Sequence, residues 1–148
     1  MSAIIGYAPG VFDLFHVGHL NLLREAKRRC DVLVAGVVSD AVVTRVKGIV
    51  PFQPLSERLA IVGAIDVVDQ VYPEVTTDKL DSWNDVGFHR IFKGDDWRGT
   101  ANGDALEVRL GAVGVEVVYF PYSTHTSSTQ LRRAIVGRWG GRDAAVAT

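Results

Sequence analysis

The stretch Asp31-Val32-Leu33-Val34-Ala35-Gly36-Val37-Val38 is almost uninterrupted in its apolar character. A strand with one wet face alternates polar and apolar residues, whereas a strand covered on both faces does not. This run therefore reads as the centre of a parallel sheet. Four more strands are expected at residues 3–8, 67–72 (ended by Pro73), 89–93 and 115–120. The first helix between them is expected over 20–27, and a second follows the Ser39-Asp40 cap signal. Ser56 is expected to cap a helix over 57–65, with Leu59, Ile61, Val62 and Ile65 on one side. Three more helices are expected: one starting at Thr77 or Asp78 and running through Trp83, one over 104–110 ended by Gly111, and one over 130–136. Five strands alternating with helices predict an α/β fold, a doubly wound parallel sheet with right-handed crossovers. One domain is expected over 1–139, with 140–148 as a flexible C-terminal tail.

The formal net charge of −1, from 16 basic and 17 acidic residues, predicts no nucleic-acid or membrane surface. One cysteine, Cys30, excludes an internal disulfide and argues against a cysteine-based metal site. No signal peptide or membrane-length apolar run is visible, so the expected location is cytoplasmic.

Chemistry-bearing residues gather where strands are expected to end, which is where open α/β sheets bind ligands. The first group is the turn Gly10-Val11-Phe12-Asp13-Leu14-Phe15-His16-Val17-Gly18-His19, between the first strand and first helix. Two histidines three apart at a helix start can face the same way. Such a pair suits metal binding, acid–base work, donation to phosphate oxygens, or plain helix capping. The helix N-terminus favours phosphate. Lys47-Gly48 is a second place, where a lysine on a loop suits a phosphate or simply meets solvent. The third is Lys93-Gly94-Asp95-Asp96-Trp97-Arg98-Gly99, which suits a ribose, a base or a metal-bound water, or forms a polar turn plugged by Trp97. The fourth is Thr124-His125-Thr126-Ser127-Ser128-Thr129, a hydroxyl-rich run before the last helix that suits phosphate or ordinary capping.

The first motif resembles the G-x-F-D-x-x-H-x-G-H signature of the nucleotidylyltransferase superfamily. Ser56-Glu57-Arg58, Gly94-Asp95-Asp96-Trp97 and Ser127-Ser128-Thr129 resemble later motifs of its cytidylyltransferase branch, most closely the glycerol-3-phosphate cytidylyltransferases. The resemblance runs over residues 3–136. It implies a Rossmann-like sheet of order 3-2-1-4-5, a homodimer, and Mg²⁺ carried on the nucleotide phosphates. It implies transfer of CMP from CTP to a phosphoalcohol, glycerol 3-phosphate first, releasing pyrophosphate. By the same resemblance Gly10, Val11, Phe12, Asp13 and Gly18 lie along the nucleotide, and His16 and His19 stabilise charge on the reacting phosphates. Lys47, implied to be catalytic with the histidines, and Lys79 are implied at the acceptor phosphate, and Arg58 is implied to order the loop and touch that phosphate. Gly94, Asp95, Asp96 and Trp97 are implied near the nucleoside, and Tyr122 with Thr126, Ser127, Ser128 and Thr129 around the triphosphate.

The chain also departs from that pattern. The last loop begins Pro121-Tyr122-Ser123, where the glycerol-3-phosphate enzymes have Pro-Arg-Thr, so a bidentate cation is replaced by a phenol. His125 stands nearby as a partial substitute. The Gly99–Gly103 stretch reads as a lengthened loop. Base and acceptor are therefore open to two further readings: an adenylyltransferase acting on FMN or a sugar phosphate, and a nucleotide-binding module without catalysis.

Overall fold

The computed structural model describes residues 2–121 and 127–139. The expected tail at 140–148 lies outside them, as do Tyr122 and Thr126. Five parallel strands, β1 (Ile5–Gly10), β2 (Val32–Val38), β3 (Gln70–Glu74), β4 (Arg90–Gly94) and β5 (Glu116–Phe120), form one sheet of order β3-β2-β1-β4-β5. This is the Rossmann-like topology that the resemblance implies, on the parallel sheet that the strand–helix alternation predicts. The helices are α1 (Val17–Lys27), α2 (Asp40–Lys47), α3 (Leu55–Gly63), α4 (Lys79–Val86), α5 (Ala101–Gly111) and α6 (Ser128–Trp139). Among the described residues no helix is long and apolar enough to cross a membrane.

The central strands bury both faces. Ala8, Leu33, Ala35, Val37 and Phe92 pack with Leu23 and Ala26 of α1 and Val62 of α3. Tyr7, Val34 and Ile91 pack on the opposite side with Phe88, Leu110 and Val115, flanked by Leu80 and Trp83 of α4. Two sheet faces filled from one strand explain why β2 shows no alternation.

Several boundaries differ from the sequence expectation for physical reasons. The helix α3 starts at Leu55 rather than after a Ser56 cap, because the Pro54 carbonyl already accepts from the N–H groups of Glu57 and Arg58. The strand β3 runs through Pro73; it lies at the sheet edge, where a residue without an N–H is tolerated. The expected loop at 99–103 is largely the first turn of α5, with the Thr100 hydroxyl accepting from the Gly103 N–H at 3.0 Å.

The first strand carries a fork in the sheet. Its pairing with β2 continues from Ile5↔Val32 to Gly10↔Val37, but its pairing with β4 stops at Tyr7↔Ile91. Ile5 turns its backbone toward the β4 side: its carbonyl accepts from the His89 N–H at 2.8 Å, and its N–H donates to His89 Nδ1 at 3.0 Å. Backbone groups on a parallel strand alternate sides, so Pro9 faces β4 as well and has no N–H to give. The strands part there, and the crevice opens at the point where strand order reverses.

Close packing behind the fork depends on Gly36. A Cβ there would lie 2.1 Å from the buried Tyr7 hydroxyl oxygen. Gly36→Ala is expected to destabilise the protein by about 1–3 kcal/mol through overpacking. Urea unfolding checks this, and an unchanged midpoint would contradict it.

Candidate active site

The turn between β1 and α1 is built under strain. Phe12 and Leu14 hold left-handed backbone angles, φ 55° and 52°, which side-chain-bearing residues rarely adopt. Buried anchors keep them there. The Phe12 ring is buried and meets the His19 ring edge-on, 5.3 Å between centroids. The side chain thus supports the His19 ring and leaves only the Phe12 backbone to lie along a nucleotide. Asp13 is buried too, and its carboxylate accepts from the N–H groups of Phe52 and Gln53 at 2.9 and 3.0 Å. The same carboxylate meets the Arg132 guanidinium of α6 at 2.7 Å.

At the helix start the two histidines cap each other's backbone. His16 Nδ1 accepts from the Gly18 N–H at 3.0 Å, and His19 Nδ1 accepts from the His16 N–H at 3.3 Å. The rings stack with centroids 3.9 Å apart. Capping and phosphate donation, alternatives in the sequence, are compatible here. A neutral imidazole accepting at Nδ1 carries its proton on Nε2, so each ring keeps a donor for a ligand. Burial lowers the pKa of His16. Burial, then the neighbouring His16, lowers that of His19 to about 4 against the opposing pull of Asp13. Both rings are neutral donors at pH 7.

The start of α6 reaches the same turn. The Ser128 hydroxyl donates to the Asp13 carbonyl at 2.6 Å and lies 3.5 Å from His19 Nε2. Ser127 Oγ accepts from the Gln130 N–H at 3.0 Å, and Thr129 is exposed. Two helix N-termini therefore converge on one place, which suits an anion.

Beside this turn lies a cleft of about 570 Å³. Val11 and Val38 line it from the strand ends, Val42, Val43, Val46 and Lys47 from α2, and Leu106, Arg109 and Leu110 from α5. His16 and His19 are outside its lining, so the site has two compartments joined at Val11. Glu74, almost fully buried, accepts from the Tyr7 hydroxyl at 2.7 Å, from Ser82 at 3.3 Å and from Lys79 Nζ at 2.5 Å. Burial, then the Glu74 charge, pushes the Tyr7 hydroxyl far above its ordinary pKa. Lys79 lines the cleft, paired with Glu74, and Lys47 lines it from the exposed end of α2.

Arg58 is corrected. Implied at the acceptor phosphate, it is fully buried and donates to the carbonyls of Gln53, Val11 and Val38, with Asp40 as its ion-pair partner. It orders the strand ends around the cleft and has no surface to offer a substrate. Trp97 enters the cleft lining, while Gly94 ends β4 and Asp95 and Asp96 point to solvent from the 3₁₀ turn Asp95–Trp97. Arg132 escaped the sequence reading, and Lys93 entered it only as the start of the third place, with no role of its own. Arg132 also donates to the Val50 carbonyl at 3.1 Å and stacks over Phe52. Lys93 lines the cleft with Nζ 3.9 Å above the Trp97 ring centre. Its position at a strand end, directly before Gly94, was the available signal.

The cytidylyltransferase-like family model matches residues 7–134, a span that contains both compartments. The chain belongs to the cytidylyltransferase-like family. It is 36% identical over 132 residues to a bifunctional protein HldE from Halorhodospira halophila, 87% of this chain and 27% of that protein. It is 34% identical over 118 residues to one from Granulibacter bethesdensis, 76% of this chain and 24% of that protein. The chain thus spans about a quarter of the length of the curated relatives it matches. A lipopolysaccharide core biosynthesis protein from Thermoplasma volcanium superposes with a TM-score of 0.70 at 27% identity, covering 84% of this chain and 100% of that one. A pantoate-beta-alanine ligase from Francisella tularensis, at 13% identity and TM-score 0.60, shares the fold.

The capped histidines carry a direct prediction. An NMR titration of the ring signals is expected to place the His19 midpoint near 4, not near the ordinary 6.5. Between those values the unfolded chain binds a proton that the folded one refuses, so stability falls as pH drops from 6.5 toward 4. A midpoint at 6.5 would contradict the buried, neutral cap.

Proposed function

We propose that the chain transfers a nucleotidyl group from a nucleoside triphosphate to the phosphate of a small hydroxylated acceptor, releasing pyrophosphate. The triphosphate lies at the histidine turn and the α6 N-terminus, and the acceptor lies in the cleft. One observation carries this reading: two neutral Nε2–H donors stand beside a cleft lined by Lys47, Lys79 and Lys93. Family membership supports the reaction class.

The chemistry needs no protein nucleophile. An anionic acceptor oxygen forms its bond to the α-phosphorus while the bond to the pyrophosphate oxygen breaks, and the electron pair leaves with pyrophosphate. Catalysis then rests on alignment and on donors aimed at developing charge. Mg²⁺ carried on the nucleotide would supply further charge neutralisation there. Among the described residues no cluster of three or more His, Cys, Asp or Glu side chains is arranged to hold a metal.

Two substrate pairs fit this reaction: CTP with glycerol 3-phosphate, and ATP with a sugar phosphate. The family description and the Gly94-Asp95-Asp96-Trp97 motif support CTP. The second pair is favoured by the cleft, which is roomy for a three-carbon acceptor, and by the likeness to a lipopolysaccharide core protein, since such a core is built of sugars. The word bifunctional in the HldE names, with a quarter-length match, agrees with this chain corresponding to one activity of two.

Pyrophosphate release measured with CTP, ATP, GTP and UTP against sugar phosphates and glycerol 3-phosphate tests the reading. Turnover with one nucleotide and one phosphorylated acceptor is the expected result. Tight nucleotide binding with no release under any pair would overturn it in favour of a binding module. With the productive pair, His16→Ala and His19→Ala are each expected to lower kcat by about 10²–10³-fold, the usual cost of removing a transition-state donor. Near-native turnover in either variant would sink the assigned role.

A further inference from the structure

We propose that Lys93 is a catalytic residue, whose ammonium contacts the reacting phosphates where the two compartments meet. The inference rests on the nucleotidyl-transfer reading and adds a residue to it. Its basis is the fork in the sheet. Pairing of β1 with β4 ends at Tyr7↔Ile91, whereas β4 stays paired with β5 through Lys93↔Tyr119 and Gly94↔Phe120. Lys93 is therefore carried past the parting of the strands, on rigid backbone. One arm of the fork leads through Val11 to the histidine turn, and the other arm carries Lys93 itself.

Charge in the cleft points the same way. Its lining holds Lys47, Lys79, Lys93 and Arg109 against Glu74 and Asp78. Lys79 is paired with Glu74, and Arg109 with Asp78 at 2.8 Å. Lys47 and Lys93 have no carboxylate within ion-pair distance among the described residues. A cleft with two uncompensated cations is built for an anion, and two phosphates must approach one another for this reaction. Lys93 differs from Lys47 in being half-buried and held over the Trp97 ring. Burial, then the positive charges of Lys79 and Lys47, lowers its pKa to about 8, against Glu74 and Asp96. A desolvated ammonium interacts more strongly with an arriving phosphate than one in water. In the proposed step its N–H groups donate to the attacking oxygen and to a non-bridging α-phosphate oxygen. No proton transfer is required.

Lys93→Met tests the proposal, because methionine keeps an apolar chain against Trp97 and removes the charge. With the productive substrate pair, kcat is expected to fall by about 10²–10³-fold, while the unfolding midpoint stays close to wild type. Lys93→Arg is expected to recover part of the lost kcat. A Lys93→Met enzyme with native kcat would overturn the proposal, as would a loss that tracks a lowered unfolding midpoint and is not rescued by arginine. A second measurement stands apart from turnover. Lysine side-chain NMR, with Lys93 assigned through Lys93→Arg, follows its titration with and without millimolar inorganic phosphate. The expected midpoint is near 8 in the free protein and moves upward with phosphate. An unmoved midpoint overturns the phosphate contact. If wild type turns over no pair, the functional reading fails, and this titration alone decides whether Lys93 meets phosphate.

Discussion

The reciprocal cap of His16 and His19 is the interaction on which the site depends. Each ring closes an open backbone N–H at the start of α1 with Nδ1, and that same bond leaves the proton on Nε2. Helix initiation and ligand chemistry thus draw on opposite edges of one ring. Stacking and burial then keep the pair neutral, so the donors are fixed in number and direction before any ligand arrives. A preorganised donor needs no rearrangement at the moment of reaction.

The rest of the turn exists to hold that cap. Left-handed Phe12 and Leu14 bend the chain sharply, and buried charge keeps the bend closed. Asp13 gathers the α2–α3 loop and α6 around it, through Phe52, Gln53 and Arg132. Arg58 ties Val11 of the turn to Val38 at the end of β2. Ser128 joins the α6 start to the Asp13 carbonyl. Removing one partner of a buried charged pair leaves the other unpaired, so these contacts are costly to break and hold the geometry firmly.

Much of the fold was legible because apolar runs and helix stops are local signals. The strand order follows from the motif likeness, and the five-stranded sheet carries it. Roles of charged residues were harder to read. Asp13 and Arg58 sit inside sequence motifs that suggest ligand contact, yet their partners lie 39 to 119 and 5 to 47 residues away, and only the folded chain brings these together. Pro9 hid a second feature. As a strand residue it reads as an ending, whereas its missing N–H lets β1 stay paired with β2 while it parts from β4. Lys93 stands in the third sequence group without a role of its own, because the fork that carries it into the cleft is not a local signal. Tyr122 and Thr126 lie outside the described residues.

The central claim is that both histidines present neutral Nε2–H donors to phosphate. Nitrogen-15 NMR of the imidazole rings at pH 7, with and without CTP or ATP, tests it most directly. The account predicts Nε2-protonated tautomers for His16 and His19 in the free protein, with nucleotide shifting the Nε2 signals far more than Nδ1. Protonation at Nδ1, a doubly protonated ring in the free protein, or rings indifferent to nucleotide would contradict it.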